Sequence, residues 1–346
     1  MCRIAIALAV LVALEALEAT ARARASPLTE GPRLAAIYDS ILGAKFDEAR
    51  TRLADACPPA PIEACKALTA TALLWEILIN PESRLLDQRL NDAAAAAIGA
   101  STAWTVSEPG RAEAWFYLAG SYAPLVQWRV LRGERIAAAR EGKKIKDALE
   151  RALKLDQSLG DAYFGIGLYH YYADVAPAYA KMLRWLLLLP GGDRRAGLRE
   201  MLKARERGEL LAGEADYQLH LIYLWYENKP REALGLLESL DARYPSNPLF
   251  LQRIADVHDV YFHDPRASAA AWRALLERAL AATVFAPREA ETRARLGLAS
   301  MLIATDDLDE AIAQLTIVID ADPIAPIGAR ARARTLLNDA RARKNF

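Results

Sequence analysis

One four-residue phrase is written three times in this chain: Phe46-Asp47-Glu48-Ala49, Pro230-Arg231-Glu232-Ala233 and Leu308-Asp309-Glu310-Ala311. Each is followed by apolar residues at helical spacing and by a proline twelve positions after its alanine, at Pro61, Pro245 and Pro323. A small residue lets one helix press closely on its neighbour, and a proline ends one helix and opens the next. The phrase therefore predicts a stack of helix-turn-helix units. Such a stack can grow past ordinary domain size because each unit touches mainly its neighbours, so 346 residues are compatible with a single array.

Weaker versions of the same grammar lie between the clean copies. Arg111 to Ala119 and Asp161 to Gly167 read as openings of first helices, and Ala148 to Asp156 reads as the end of a second one. On these residues the chain resembles the tetratricopeptide-repeat proteins from about Arg33 to Pro323. That resemblance implies an all-α fold, a right-handed solenoid of paired antiparallel helices whose first helices line a concave face that grips peptides or protein segments. Two stretches depart from the 34-residue period. Trp115 and Tyr163 lie 48 residues apart, with the excess in 128–144, and Tyr163 and Tyr217 lie 54 apart, with the excess in 173–192. The second stretch carries the greasy run Met182 to Leu189, far short of the roughly 20 apolar residues of a membrane span. It ends in Pro190-Gly191-Gly192-Asp193, a breaker, a turn and an N-cap for a helix from Arg194 to about Arg207. The order of Gly165-x-Gly167, Pro177 and Gly192-Asp193-Arg194-Arg195-Ala196-Gly197-Leu198 is also similar, over about one repeat, to the inclusion-body clearance family of tetratricopeptide proteins.

Composition narrows the setting. Lysine plus arginine balance aspartate plus glutamate at 44 each, which gives no bias towards nucleic acid. Residues 1–25 read as a secretory signal: a short basic start at Met1-Cys2-Arg3, an apolar run from Ile4 to Leu14, and a small-x-small site at Ala23-Arg24-Ala25. Alanine- and arginine-rich usage suits a high-GC bacterial genome, so the mature chain 26–346 is expected in the periplasm or outside the cell, after cleavage near Ala25. It then holds two cysteines, Cys57 and Cys65, and an even count in an oxidising compartment predicts a disulfide joining the end of one helix to the first turn of the next. Residues 328–344, with five arginines among alanines, read as the polar capping helix that closes a solenoid core.

Catalytic and metal signatures are missing from the sequence. It contains no Gly-x-Ser-x-Gly, phosphate-binding glycine loop or His-Glu-x-x-His. His258 and His263 are five residues apart, which turns the second imidazole about 140° around a helix and away from a shared ion. His170 and His220 lie among aromatic residues and read as core. The acidic run Asp306 to Glu310 lacks the glycine and spacing of a calcium loop and reads as helix capping, while the basic run from Arg129 to Lys146 reads as a solvated helical extension. No metal, cofactor or catalytic residue is therefore assigned.

The resemblance places positions two, five, nine and twelve of each first helix on the concave groove. Carried onto this chain, those positions assign Asp161, Phe164, Leu168 and Tyr171, then Gln218, Ile222 and Trp225, then Gln252, Asp256 and Asp259, an aromatic wall grading into a polar floor. The expected function is a non-catalytic scaffold that binds a protein or peptide partner there. The alternative is a carrier of a small apolar molecule or lipid, with 173–192 folded over the cavity.

Overall fold

The computed structural model describes residues 26–175, 191–323 and 325–345. The proposed signal segment 1–25 and the core of the second irregular stretch, 176–190, lie outside the described residues. Among the described residues the chain is all-α, with fifteen helices: α1 (Gly31–Leu42), α2 (Phe46–Ala56), α3 (Ile62–Ile79), α4 (Asp87–Ser107), α5 (Ala112–Leu131), α6 (Arg135–Leu155), α7 (Ala162–Val175), α8 (Arg194–Arg207), α9 (Ala212–Trp225), α10 (Pro230–Arg243), α11 (Pro248–Val260), α12 (Pro265–Leu280), α13 (Pro287–Ala304), α14 (Leu308–Ala321) and α15 (Ala329–Lys344). Consecutive helices pack in pairs, giving seven hairpins and one final helix, a tetratricopeptide-like array. None of the described helices is long and apolar enough to cross a membrane.

The repeated phrase is the first turn of a second helix. Phe46, Pro230 and Leu308 begin α2, α10 and α14, and Ala49, Ala233 and Ala311 are fully buried at the fourth helical position. The same slot is small in three of the four second helices whose wording differs: Ala138 in α6, Gly197 in α8 and Ser268 in α12 are buried there, whereas α4 has buried Leu90. Gly197 shows why size matters. A Cβ at this position would stand 2.6 Å from the Gly167 carbonyl oxygen and 2.6 Å from the Tyr171 nitrogen, both backbone atoms of α7. The glycine pair Gly167 and Gly197, which carried the remote family likeness, is thus the contact line of α7 against α8.

Turn chemistry sets the element ends. Proline opens α10, α11, α12 and α13, where its missing N–H costs no hydrogen bond. Asp193 caps α8 by accepting the Ala196 N–H at 2.9 Å, and Asp264 caps α12 by accepting those of Arg266 and Ala267 at 3.1 and 3.0 Å. Cys57 at the end of α2 is bonded to Cys65 in the first turn of α3. The extra length of 128–144 lies in helices, because α5 and α6 run for 20 and 21 residues whereas α9 and α10 have 14 each. Three of its six basic residues are ion-paired: Arg129 meets Glu134 and Glu141, Lys143 meets Asp147, and Arg132 bridges to Asp87 at 2.6 Å and to the carbonyls of Pro81 and Ser83.

The array also touches itself across long sequence distances. Helix α1 packs on α9 and α3 packs on α11. Trp75 of α3 is buried between Tyr217 and Phe250, with ring centroids 4.9 and 6.2 Å away. Phe46 meets Phe285 edge-on at 4.9 Å, the Tyr244 hydroxyl donates to Asp39 at 2.6 Å, and the Asn247 side chain donates to the Leu42 carbonyl at 2.8 Å. Each such aromatic pair adds about 0.5–1.5 kcal/mol beyond the area it buries. The first helices of the chain therefore fill the inside of the later units.

Candidate functional site

That filling decides which side chains stay open to solvent. Helix α9 is buried without interruption from Gly213 to His220, although it carries Glu214, Asp216, Gln218 and His220. Glu214 is the hub. Its Oε2 accepts from the Tyr38 hydroxyl and the Trp75 indole, each at 3.1 Å, and its Oε1 accepts from the side-chain amides of Gln127 and Gln218 at 3.3 and 3.2 Å. Burial raises its pKa above the ordinary carboxylate range, outweighing those four donors, and the Tyr38 phenol is pushed well up by its own burial and by Glu214. One side chain thus ties α1, α3, α5 and α9 together. Asp216 is held by Arg205 and, at 2.6 Å, by Arg243. Burial, with Arg253 nearby, lowers the His220 pKa to about 3, and the neutral ring rests on Tyr217 at 4.7 Å.

The residues assigned to the groove separate into three groups. Asp161, Phe164, Tyr171, Gln218 and Ile222 are buried. The Asp161 carboxylate accepts the N–H groups of Glu209, Leu210 and Leu211 at 2.9, 3.0 and 2.7 Å and so shapes the entry to α9. Phe164, Tyr171 and Ile222 belong to the core between α7, α8 and α9, with Leu168 packed against it. The buried positions are therefore not open: α8 and α9 cover those of α7, and α1, α3 and α5 occupy the side of α9 that carries Glu214 and Gln218.

Trp225 belongs to a second place, the edge formed by the ends of α7 and α9. It is 59% exposed, and Tyr226 beside it is 40% exposed. Tyr226 meets Tyr171 and Tyr172 with centroids 5.9 and 5.8 Å away. The Tyr171 hydroxyl reaches Glu227 at 2.5 Å, and Arg194 donates to the same carboxylate at 2.8 Å while lying over the Tyr171 ring. Arg194 and the Tyr171 hydroxyl hold the Glu227 carboxyl below its usual range.

Gln252 and Asp256 line a third place, a cleft of about 370 Å³ among the end of α3, α11, α13 and the start of α15. Asp259 is one turn beyond Asp256 and outside the lining. Three arginines enter the cleft, Arg253, Arg293 and Arg332, with the carboxylates Glu82 and Asp256. Arg253 pairs with Asp256 at 3.1 Å, and Arg293 reaches Glu82 at 2.8 Å, Asn80 at 3.2 Å and Glu289 at 3.3 Å. Burial pushes the Glu82 carboxyl up, but its hydrogen bond from Arg293 outweighs this and holds it low. At Asp256 burial prevails over Arg253 and raises the pKa. Apolar walls come from Leu78, Ile79, Leu249, Trp272, Leu296 and Ile327.

Glu214 and the arginine set were not assigned from sequence. A signal for the arginines exists: Arg253, Arg293 and Arg332 recur 40 and 39 residues apart on α11, α13 and α15, which are alternate helices of the array. Among the histidines, His170 bonds Glu200 at 2.8 Å and His258 packs on Phe262. Among the described residues no cluster of three or more His, Cys, Asp or Glu side chains could hold a metal ion.

No family model matches this sequence, and no curated protein matches it. Among solved structures the chain is similar to the human IFIT1 dimer with PPP-AAAA, at 14% identity over 88% of this chain and 70% of that one, with a TM-score of 0.45. It is similar to an IFIT1 monomeric mutant with Gppp-AAAA at 12% identity, over 86% and 68% of the two chains, with a TM-score of 0.40. It is also similar to the assembly chaperone of RpL4, Acl4 (residues 1–338), at 15% identity over 81% and 95%, with a TM-score of 0.36.

Proposed function

We propose that the mature chain is a non-catalytic scaffold of the periplasm or the extracellular space that captures a protein or peptide partner on the edge carrying Trp225 and Tyr226. The observation that supports this reading is the aromatic edge itself. The inside of the array is occupied by α1 and α3, yet a tryptophan and a tyrosine stand in solvent beside a tyrosine cluster and a buttressed arginine–glutamate pair. Exposed aromatic clusters with a polar rim mark interaction surfaces, and tryptophan, tyrosine and arginine dominate their binding energy. The partner is thereby moved from the concave groove to its margin. Secretion rests on the residues 1–25 and on the disulfide, which suits an oxidising compartment.

A photo-crosslinking amino acid at position 226, used in cells that export the chain, tests the reading. A discrete crosslinked protein band is expected. The Trp225→Ala single variant should weaken capture of that protein on the order of 30-fold, a typical hot-spot loss, with an unchanged circular dichroism spectrum. Full capture by the folded variant would remove the edge from the binding surface.

A further inference from the structure

The turn of the α5–α6 hairpin carries an apolar summit that stays in solvent. The extra length of this hairpin lies at its turn: α5 has 20 residues against 14 in α9, and at about 1.5 Å per residue the difference carries the turn roughly 9 Å farther out. Val130 and Leu131 at the end of α5 are 58% and 37% exposed, and Ile136 at the start of α6 is 51% exposed. Leu85, in the turn between α3 and α4, is 89% exposed. Arg132 holds the two turns side by side, donating to the Pro81 and Ser83 carbonyls at 2.6 and 2.7 Å and to the Asp87 carboxylate. Leu86, Leu90 and Trp128 of the same region join a core cluster, whereas Leu85, Val130, Leu131 and Ile136 stay outside it.

Charge around the summit is one-sided. Residues 80–92 and 128–147 hold nine basic side chains and six acidic ones, a surplus of three. Arg293 and Glu150, which pair with Glu82 and Lys146 from outside these stretches, cancel one another. Every one of the six acids is engaged: Glu82 by Arg293, Asp87 by Arg132, Glu134 and Glu141 by Arg129, Asp147 by Lys143, and Asp92 by the Gln88 amide. Arg84, Arg89, Arg135 and Arg140 are exposed and form no ion pair among the described residues. A projecting tip with apolar side chains at its apex and free guanidinium groups around them matches a bilayer interface, where apolar groups enter the acyl boundary and long cationic side chains stay with the headgroups. We propose that this tip docks on the surface of an anionic phospholipid bilayer, with Leu85, Val130, Leu131 and Ile136 inserted and the four free arginines against lipid phosphates. The surface shares no residue with the protein-binding edge at Trp225, so either can fail without the other.

Co-sedimentation of the mature chain with vesicles tests this, using phosphatidylglycerol mixed into phosphatidylcholine against phosphatidylcholine alone. The anionic vesicles should bind at least about tenfold more tightly, and the difference should shrink as salt rises and screens the lipid charge. Arg135→Gln combined with Arg140→Gln should cost about tenfold on the anionic vesicles. Leu85→Ser combined with Ile136→Ser changes only solvent-facing side chains and no charge, and it should weaken the same binding at least about tenfold. Trp225→Ala should bind the vesicles as the native chain does. No binding to anionic vesicles, equal binding to both kinds, or full binding by either folded double variant would overturn the proposal. Loss of binding in Trp225→Ala would also overturn it, by moving the lipid contact to the aromatic edge.

Discussion

His220 is the histidine that burial changes most visibly, its pKa lowered to about 3. In the unfolded chain it takes up a proton below about pH 6.5, whereas in the fold burial delays protonation to about pH 3. Protons in that window bind the unfolded state in preference. The contribution is intact above pH 6.5 and is lost progressively as pH falls towards 3, a penalty of a few kcal/mol when complete. Urea midpoints measured from pH 7 to pH 4 should fall more steeply for the native chain than for His220→Phe, which keeps a ring on Tyr217 and cannot titrate. Parallel slopes would show that His220 is solvated. From sequence, His220 is legible as a core histidine because aromatic residues flank it. Glu214, six residues earlier, is not, because its donors Tyr38, Trp75 and Gln127 come from positions 87 to 176 residues away.

At the scale of the element, one buried position recurs through the second helices, small in all but α4, and at Gly197 its size sets how closely the hairpin closes. Gly197→Ala would drive a Cβ into the backbone of α7, and overpacking of this kind costs about 1–3 kcal/mol. Gly235 of α10 has nothing within 4 Å of the same atom, so Gly235→Ala should instead stabilise by roughly 0.5–1 kcal/mol through helix propensity. Opposite shifts in the urea midpoint are expected from two identical substitutions, and equal shifts would mean that the α7–α8 contact is looser than described. The three clean phrases were legible because their alanine, acidic residues and distant proline coincide. The slots of Ala138, Gly197 and Ser268 were hidden because any small residue satisfies the packing. The letters alone also mislead: Pro287-Arg288-Glu289-Ala290 matches the second copy of the phrase and yet opens a first helix, α13.

For the molecule as a whole, the all-α hairpin array follows from local patterns, which sequence periodicity reports directly. Closure does not. It depends on contacts such as Tyr38 with Glu214, Tyr244 with Asp39 and Arg293 with Glu82, in which each partner also makes sense as an ordinary surface or core residue of an open array. Family positions placed the groove where open arrays have it. The side chains of α1 and α3 fill that space, so Gln218 is spent on Glu214, while Gln252 and Asp256 remain at the uncovered end. Among the described residues, Trp225 stays exposed and the arginine-lined cleft stays open beside that filled interior. In an open solenoid the outermost helices fray, whereas here, among the described helices, α1 is held by α9 while α15 packs on its chain neighbours α13 and α14. Native-state amide hydrogen exchange resolved by helix tests this closure most directly. The expected result is that the amides of α1 at Leu34 to Leu42 are as protected as those of α9 and far more protected than those of α15. Exchange of α1 as fast as that of α15 would contradict it and return the concave face to solvent.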